Sequence, residues 1–79
     1  MDIYAVGALG YFLLTGTTVF NGQTSLEIRM KQVRQEPDAP SRRLGRPVSA
    51  SVEAAILHCL AKAPTDRPTA ISFLDELSR

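Results

Sequence analysis

The sequence predicts an all-α fold of four helices. Apolar residues recur three and four positions apart in four separate segments, each bracketed by helix-start and helix-stop residues, and no pair of strand-like runs accompanies them. With 79 residues the chain is one domain at most, and a domain of that size buries only about 60 to 65% of the surface its unfolded chain exposes. Hydrophobic residues make up 44% and charged residues 22%, a composition that folds rather than stays disordered. The formal charge of +1 provides no strong field to draw the chain to nucleic acid or an acidic membrane. Cys59 is the single cysteine, which excludes an internal disulfide and fits a reducing, cytoplasmic setting.

The first helix is expected from about Asp2 to Thr15, with Asp2 at its start and Gly16 as a left-handed cap. Its Ile3, Tyr4, Val6, Leu9, Tyr11, Phe12, Leu13 and Leu14 cover every side of the helical wheel. A helix apolar all round has to be enclosed by other structure, and a chain this short can hardly enclose it. The stretch from Ile3 to Phe20 approaches the length of a membrane span. Against a span stand Gly7, Gly10 and Gly16, Thr15, Thr17 and Thr18, and the lack of basic or tryptophan anchors at either edge. The acidic start at Asp2 and the absence of a small-residue cleavage site also argue against a secretory signal.

Thr17 to Gln23 forms a turn-rich connector, with Asn21-Gly22 its strongest turn signal and Phe20 its expected anchor. A second helix is predicted from Ser25 to Arg34, with an apolar face of Leu26, Met30 and Val33 and with Glu27 and Lys31 four apart in the favourable order. Between Glu36 and Pro47, the prolines and the basic group Arg42, Arg43 and Arg46 predict an irregular surface loop. Three charges without interleaved aromatics are a solvated loop rather than a nucleic-acid site. A third helix is expected from Ala50 to Ala61, capped by Ser49, with Val52, Ile56, Leu57 and Leu60 inward. His58 and Cys59 lie on it side by side. Adjacent positions diverge by about 100°, so packing in the core is expected of both rather than joint ligation of a metal. The fourth helix is expected from Ala70 to Leu77, capped by Thr69, with Ile71, Phe73, Leu74 and Leu77 inward and Ser72, Asp75, Glu76 and Arg79 outward.

Two motifs then point to a family. Asp2-Ile3-Tyr4-Ala5-Val6-Gly7-Ala8-Leu9-Gly10-Tyr11, followed by Leu13-Leu14-Thr15-Gly16, resembles the central helix of protein kinase C-lobes, which reads D-x-[WY]-[SA]-x-G. Leu60-Ala61-Lys62-Ala63-Pro64-Thr65-Asp66-Arg67-Pro68 resembles the L-x-K-x-P-x-x-R-P signature that precedes the last helix of that lobe. Their order and spacing fit, and the resemblance covers essentially the whole chain. Leu60 and Ala70 stand where tyrosine kinases usually carry tryptophan and phenylalanine, so the chain is similar to the serine/threonine branch, and to its bacterial members. The connector lacks the proline common in relatives.

The resemblance implies that residues 1–79 are a partial kinase domain, the four-helix C-terminal portion of the large lobe from its central helix to its last. Kinases bind ATP with a glycine-rich loop and a strand lysine, transfer phosphate with H-R-D-x-x-x-x-N and hold magnesium with D-F-G. None of these occurs in the sequence, nor does A-P-E. Catalytic, cofactor-binding and metal-binding residues are accordingly expected to be absent, with ATP and magnesium belonging to the parent enzyme, and the chain alone is expected to be inactive. The implied partners are the remainder of the kinase domain and the parent's protein substrate, with no nucleic acid and no membrane span in this segment. Asp2 matches the acid that holds the catalytic loop, the plainer alternative being a helix-start charge worth about 0.3 to 1 kcal/mol. Arg67 matches the arginine that pairs with the A-P-E glutamate; without that partner it is expected to lie exposed or to borrow another acceptor. The helix bearing Glu27, Lys31 and Arg34 resembles one that serves many kinases as a docking surface. The alternatives are a small helical protein-interaction module without catalytic activity and a membrane-anchored peptide.

Overall fold

In the computed structural model, which describes residues 2–78, the order of elements is α1 (Ile3–Thr15), α2 (Ser25–Arg34), α3 (Pro40–Leu44), α4 (Ala50–Cys59), a 3-10 turn (Pro64–Asp66) and α5 (Ala70–Leu77). There is no strand among the described residues, and the four expected helices are present, the one expected from Ala50 to Ala61 ending at Cys59. Arg79 lies outside the described residues.

α1 starts because the Asp2 carboxylate accepts a hydrogen bond from the Ala5 N–H at 3.2 Å, satisfying one of the donors that a helix start leaves free. It stops because Gly16 turns to φ 76° while its N–H closes on the Phe12 carbonyl at 2.8 Å, a conformation that would strain a residue with a Cβ. Thr24 and Thr69 cap α2 and α5 in the same manner, their hydroxyls accepting from the N–H of Glu27 and Ser72. Ser49 occupies the cap position of α4, but its side chain makes no capping bond and lies against the Ser51 hydroxyl instead.

The prediction of an irregular stretch from Glu36 to Pro47 needs correcting, because α3 forms inside it. Pro40 sits in its first turn, where a missing N–H is not needed, and Gly45 ends it at φ 74°. Five residues are too few to display a helical period, so no periodic signal in the sequence marks α3. Glu53 in the first turn of α4 accepts from the Ser41 N–H at 3.0 Å, which fastens α3 to α4.

The core is built where α1 crosses α4. Tyr11, Val19, Ile56 and Leu60 form its buried cluster, with Tyr4, Ala8, Leu14, Phe20 and Val52 packed against it. Along α1 the inward positions 4, 7, 8, 11 and 14 follow one helical stripe. At Gly7 the two helices approach closely: a Cβ there would lie 2.5 Å from the Cβ of Cys59. In the connector, Val19 is the buried anchor, while the expected one, Phe20, is half-buried.

Three of the inward assignments, His58, Ile71 and Leu74, are overturned. His58 is exposed and bonds Glu76 across to α5, with Nδ1 3.1 Å from the carboxylate, so only Cys59 of the adjacent pair packs in the core. Glu76, expected outward, is half-buried by that contact. On α5 the side facing α4 is Ala70, Phe73 and Leu77, whereas Ile71 is 81% exposed and Leu74 also faces solvent. The periodicity was right, but a stripe of 71, 74 and 77 and one of 70, 73 and 77 differ by less than a third of a turn.

Candidate functional site

The residues that the resemblance singled out fall into two places. The first is a recess of about 370 Å³ between the start of α1, the end of α2 and the α4–α5 turn, lined by Asp2, Tyr4, Gln32, Val33, Lys62 and Arg67. Asp2 reaches its rim as the helix cap. Arg67 is half-buried, its guanidinium carbon 4.9 Å from the centre of the Tyr4 ring. Its Nε donates to the Ala61 carbonyl at 2.9 Å and its Nη2 to the Lys62 carbonyl at 3.3 Å. Arg67 therefore has backbone carbonyls as its acceptors, and those bonds keep it stacked on a ring at the edge of the recess. Burial pushes the Tyr4 phenol above its usual value, and the Arg67 charge pulls it partly back.

Lys62, a motif residue to which the sequence assigns no role, shapes the same recess. Its ammonium lies 4.9 Å from the centre of the Phe20 ring and donates to the Gln32 carbonyl, so the L-x-K-x-P lysine ties α2 to the body of the molecule. Two cations thus flank the recess on one side, each resting on an aromatic face. The motif named Lys62; what could not be read was its partner thirty positions earlier.

The second place is the outer side of α2. Glu27 and Lys31 form the expected pair at 3.6 Å, and with Arg34 they border a shallow recess of about 360 Å³ whose floor includes Leu26 and Met30. This alters the expected picture of α2. Leu26 and Val33 are 67% and 69% exposed, Met30 is exposed too, and the residue packed toward the body is Ile28. The extensive helix pairings are α1 with α4, α4 with α5 and α1 with α3; α2 is held instead by polar bonds, Lys62 to Gln32 and Lys31 to the Asn21 carbonyl. An i, i+4, i+7 stripe shows that a helix has an apolar face, not which body covers it. Asp2 and Arg67 are brought together around the first recess; Glu27, Lys31 and Arg34 stay apart from them.

A third cluster holds residues to which the resemblance assigned no role. Arg43 donates to the Thr17 hydroxyl, the Thr18 and Val19 carbonyls and the Asp38 carboxylate, and lies over the Tyr11 ring at 5.3 Å. The Tyr11 hydroxyl donates to the Asp38 carbonyl at 2.8 Å. Burial raises the Tyr11 pKa above its usual value; Arg43 opposes the rise, and Asp38 and Glu53 add to it. One arginine of the basic group is therefore an internal clamp. No group of three or more histidine, cysteine, aspartate or glutamate side chains suited to a metal occurs among the described residues, and no helix among them is long and apolar enough to cross a membrane.

Comparison with known proteins agrees with the motifs. No family model matches the chain. The chain is 40% identical over 80 residues to the serine/threonine-protein kinase pkn3 of Myxococcus xanthus, an alignment covering 96% of the chain and 14% of that protein. It is 37% identical over 82 residues to the probable serine/threonine-protein kinase PknB of Corynebacterium glutamicum, covering 99% of the chain and 13% of that protein. With the serine/threonine-protein kinase PknB of Mycobacterium tuberculosis the identity is 36% over 66 residues, covering 84% of the chain and 10% of the relative. The chain thus spans about a seventh or less of the length of these curated relatives.

Proposed function

We propose that this chain, which belongs to the serine/threonine protein kinases as part of the C-terminal lobe of the catalytic domain, is the scaffold on which the parent enzyme mounts its activation segment and receives its protein substrate. The parent activity is ATP-dependent phosphorylation of serine or threonine in proteins, with magnesium as the accompanying ion, in the cytoplasm. The observation that carries the reading is the alignment of nearly the whole chain with bacterial kinases at 40% identity, coinciding with Arg67 stacked on Tyr4 beside a recess that has Asp2 at its rim.

Phosphoryl transfer depends on positioning and on charge stabilisation by groups around the phosphates. The 79 residues contain none of those groups, so their share of the work is indirect. Asp2, as an ionised acceptor at the head of α1, is suited to hold backbone N–H groups of a neighbouring loop, because charge-assisted bonds are short and strong. Arg67 presents a guanidinium already ordered by two carbonyls and a ring, ready for a carboxylate arriving from the activation segment. The outer side of α2, apolar between Glu27, Lys31 and Arg34, suits a protein surface better than a small molecule.

The test is a chimera in which this chain replaces the matching segment of the Mycobacterium tuberculosis kinase. The chimera is expected to phosphorylate a protein substrate, and Asp2→Asn or Arg67→Ala within it to lower activity at least tenfold while the protein stays folded. A folded chimera without activity, or one indifferent to both substitutions, would overturn the scaffold reading. By itself the chain is expected to give no saturable heat on calorimetric titration with Mg-ATP.

A further inference from the structure

Asn21 is the only asparagine in the chain, it is followed by Gly22, and both are exposed. Asparagine before glycine is the pairing in which the next backbone nitrogen most easily attacks the side-chain amide, because glycine has no Cβ to crowd the ring that forms. Two further contacts act on the same few atoms. The Lys31 ammonium donates to the Asn21 carbonyl oxygen, which belongs to the very peptide whose nitrogen would attack. A cation on that oxygen stabilises the peptide after loss of its proton, and so makes the nucleophile more available. The Thr18 hydroxyl lies 2.5 Å from the Asn21 Oδ1 and 3.2 Å from the Phe20 carbonyl. Its proton goes to the nearer oxygen, where it stabilises the negative charge that develops as the amide carbon becomes tetrahedral.

We propose that Asn21-Gly22 is a self-modification site at which the native fold promotes conversion of Asn21 to aspartate and isoaspartate. The Gly22 nitrogen, having given its proton to solvent hydroxide, bonds to Cγ of Asn21. The Cγ–Nδ2 bond breaks, and the nitrogen leaves as ammonia with a proton from water. The product is a five-membered succinimide, and water opens it at either carbonyl, so that the net change is amide plus water to acid plus ammonia. The outcome bears on α2. A new carboxylate arises beside Lys31, in competition with Glu27, and the isoaspartyl product lengthens the main chain at the residue whose carbonyl anchors that lysine. The proposal stands on the loop chemistry alone and does not depend on the kinase reading.

The experiment is incubation of the dilute chain near neutral pH, with isoaspartate measured by enzymatic carboxyl methylation and its position by mass spectrometry of the digest. The native chain is expected to form isoaspartate at residue 21 on the order of tenfold faster than the same chain unfolded in urea, the worth of one charge-assisted hydrogen bond. Lys31→Met and Thr18→Val, in variants whose circular dichroism stays helical, are expected to lose most of that acceleration, while Arg34→Met keeps it. A native rate at or below the urea rate overturns the proposal outright. So does an unchanged rate in both helical variants. Should the variants unfold, the native-to-urea ratio of the original chain decides by itself.

Discussion

The guanidinium of Arg43 reaches the Thr17 hydroxyl and the Thr18 and Val19 carbonyls of the α1–α2 connector, the Asp38 carboxylate, and the face of Tyr11. Its removal leaves connector carbonyls without their donor and uncovers a ring in the core cluster. Arg43→Met is therefore expected to cost about 2 to 3 kcal/mol, read from the urea midpoint at constant slope. Arg43→Lys should recover little, since a point charge cannot serve oxygens on several sides. None of this was legible in the sequence, where Arg42, Arg43 and Arg46 look alike; which of three arginines turns inward depends on α3, itself too short to announce its phase. Arg67 was legible because its neighbours spell a motif. Cys59 gives a second prediction at this scale. Burial, with the Glu76 charge adding to it, pushes the thiol from an ordinary 9.0 up to about 11. The raised value means that the native state keeps the proton between those limits while the unfolded chain releases it. Stability is thus intact below about pH 9 and falls as pH rises to about 11, by roughly 2 to 3 kcal/mol. Urea midpoints at the two ends of that window check it, and in Cys59→Ala the decline should shrink to the part due to Tyr4 and Tyr11, whose pKa values burial also raises.

Between elements, the α1–α4 crossing depends on Gly7, where the helices approach closely. A methyl group there would meet the Cys59 Cβ at 2.5 Å, and a Cβ cannot swing aside as the end of a long side chain can. Gly7→Ala is expected to destabilise by about 3 kcal/mol in spite of alanine's better helix propensity, as a lower melting temperature would show. α2 makes the opposite prediction. With Leu26 and Val33 facing solvent, Leu26→Gln and Val33→Gln should each change stability by less than about 0.5 kcal/mol. A loss of more than about 2 kcal/mol would mean that the stripe packs on the body after all. The boundaries of α1, α2 and α5 were readable because caps act locally: Asp2, Gly16, Thr24 and Thr69 bond to backbone groups three or four residues away. The facing of α2 and α5 was not, because it depends on what the remaining chain presents to them, and Lys62 holding Gln32 across thirty positions leaves no local mark.

The molecule as a whole measures 37 by 30 by 17 Å, and its short dimension is too thin to cover a central helix on two sides. α1 shows the result. Its stripe of Tyr4, Gly7, Ala8, Tyr11 and Leu14 is packed on α4 and the connector, while Leu9, Phe12 and Leu13, which share the opposite face, are exposed, Leu13 by 73%. The all-round apolar pattern of α1 predicted such a deficit, but not which side would be covered; Tyr11 lies on the covered side and is fully buried. Full burial of one large apolar side chain contributes about 1.5 to 3 kcal/mol, so the uncovered face forfeits several kcal/mol, a large share of the stability of a small domain. Ile71 and Leu74 add exposed apolar surface on α5. The purified chain is therefore expected to self-associate at micromolar concentration and to bind a hydrophobic dye. Light scattering should show species larger than a monomer, and Leu9→Gln with Leu13→Gln in one chain should shift them toward the monomer and weaken the dye signal, without touching the Tyr11 side of the helix. A monodisperse, dye-silent monomer with a cooperative melt would instead show that these helices suffice as an autonomous domain, and would favour the reading of the chain as an interaction module over that of a scaffold waiting for the rest of its lobe.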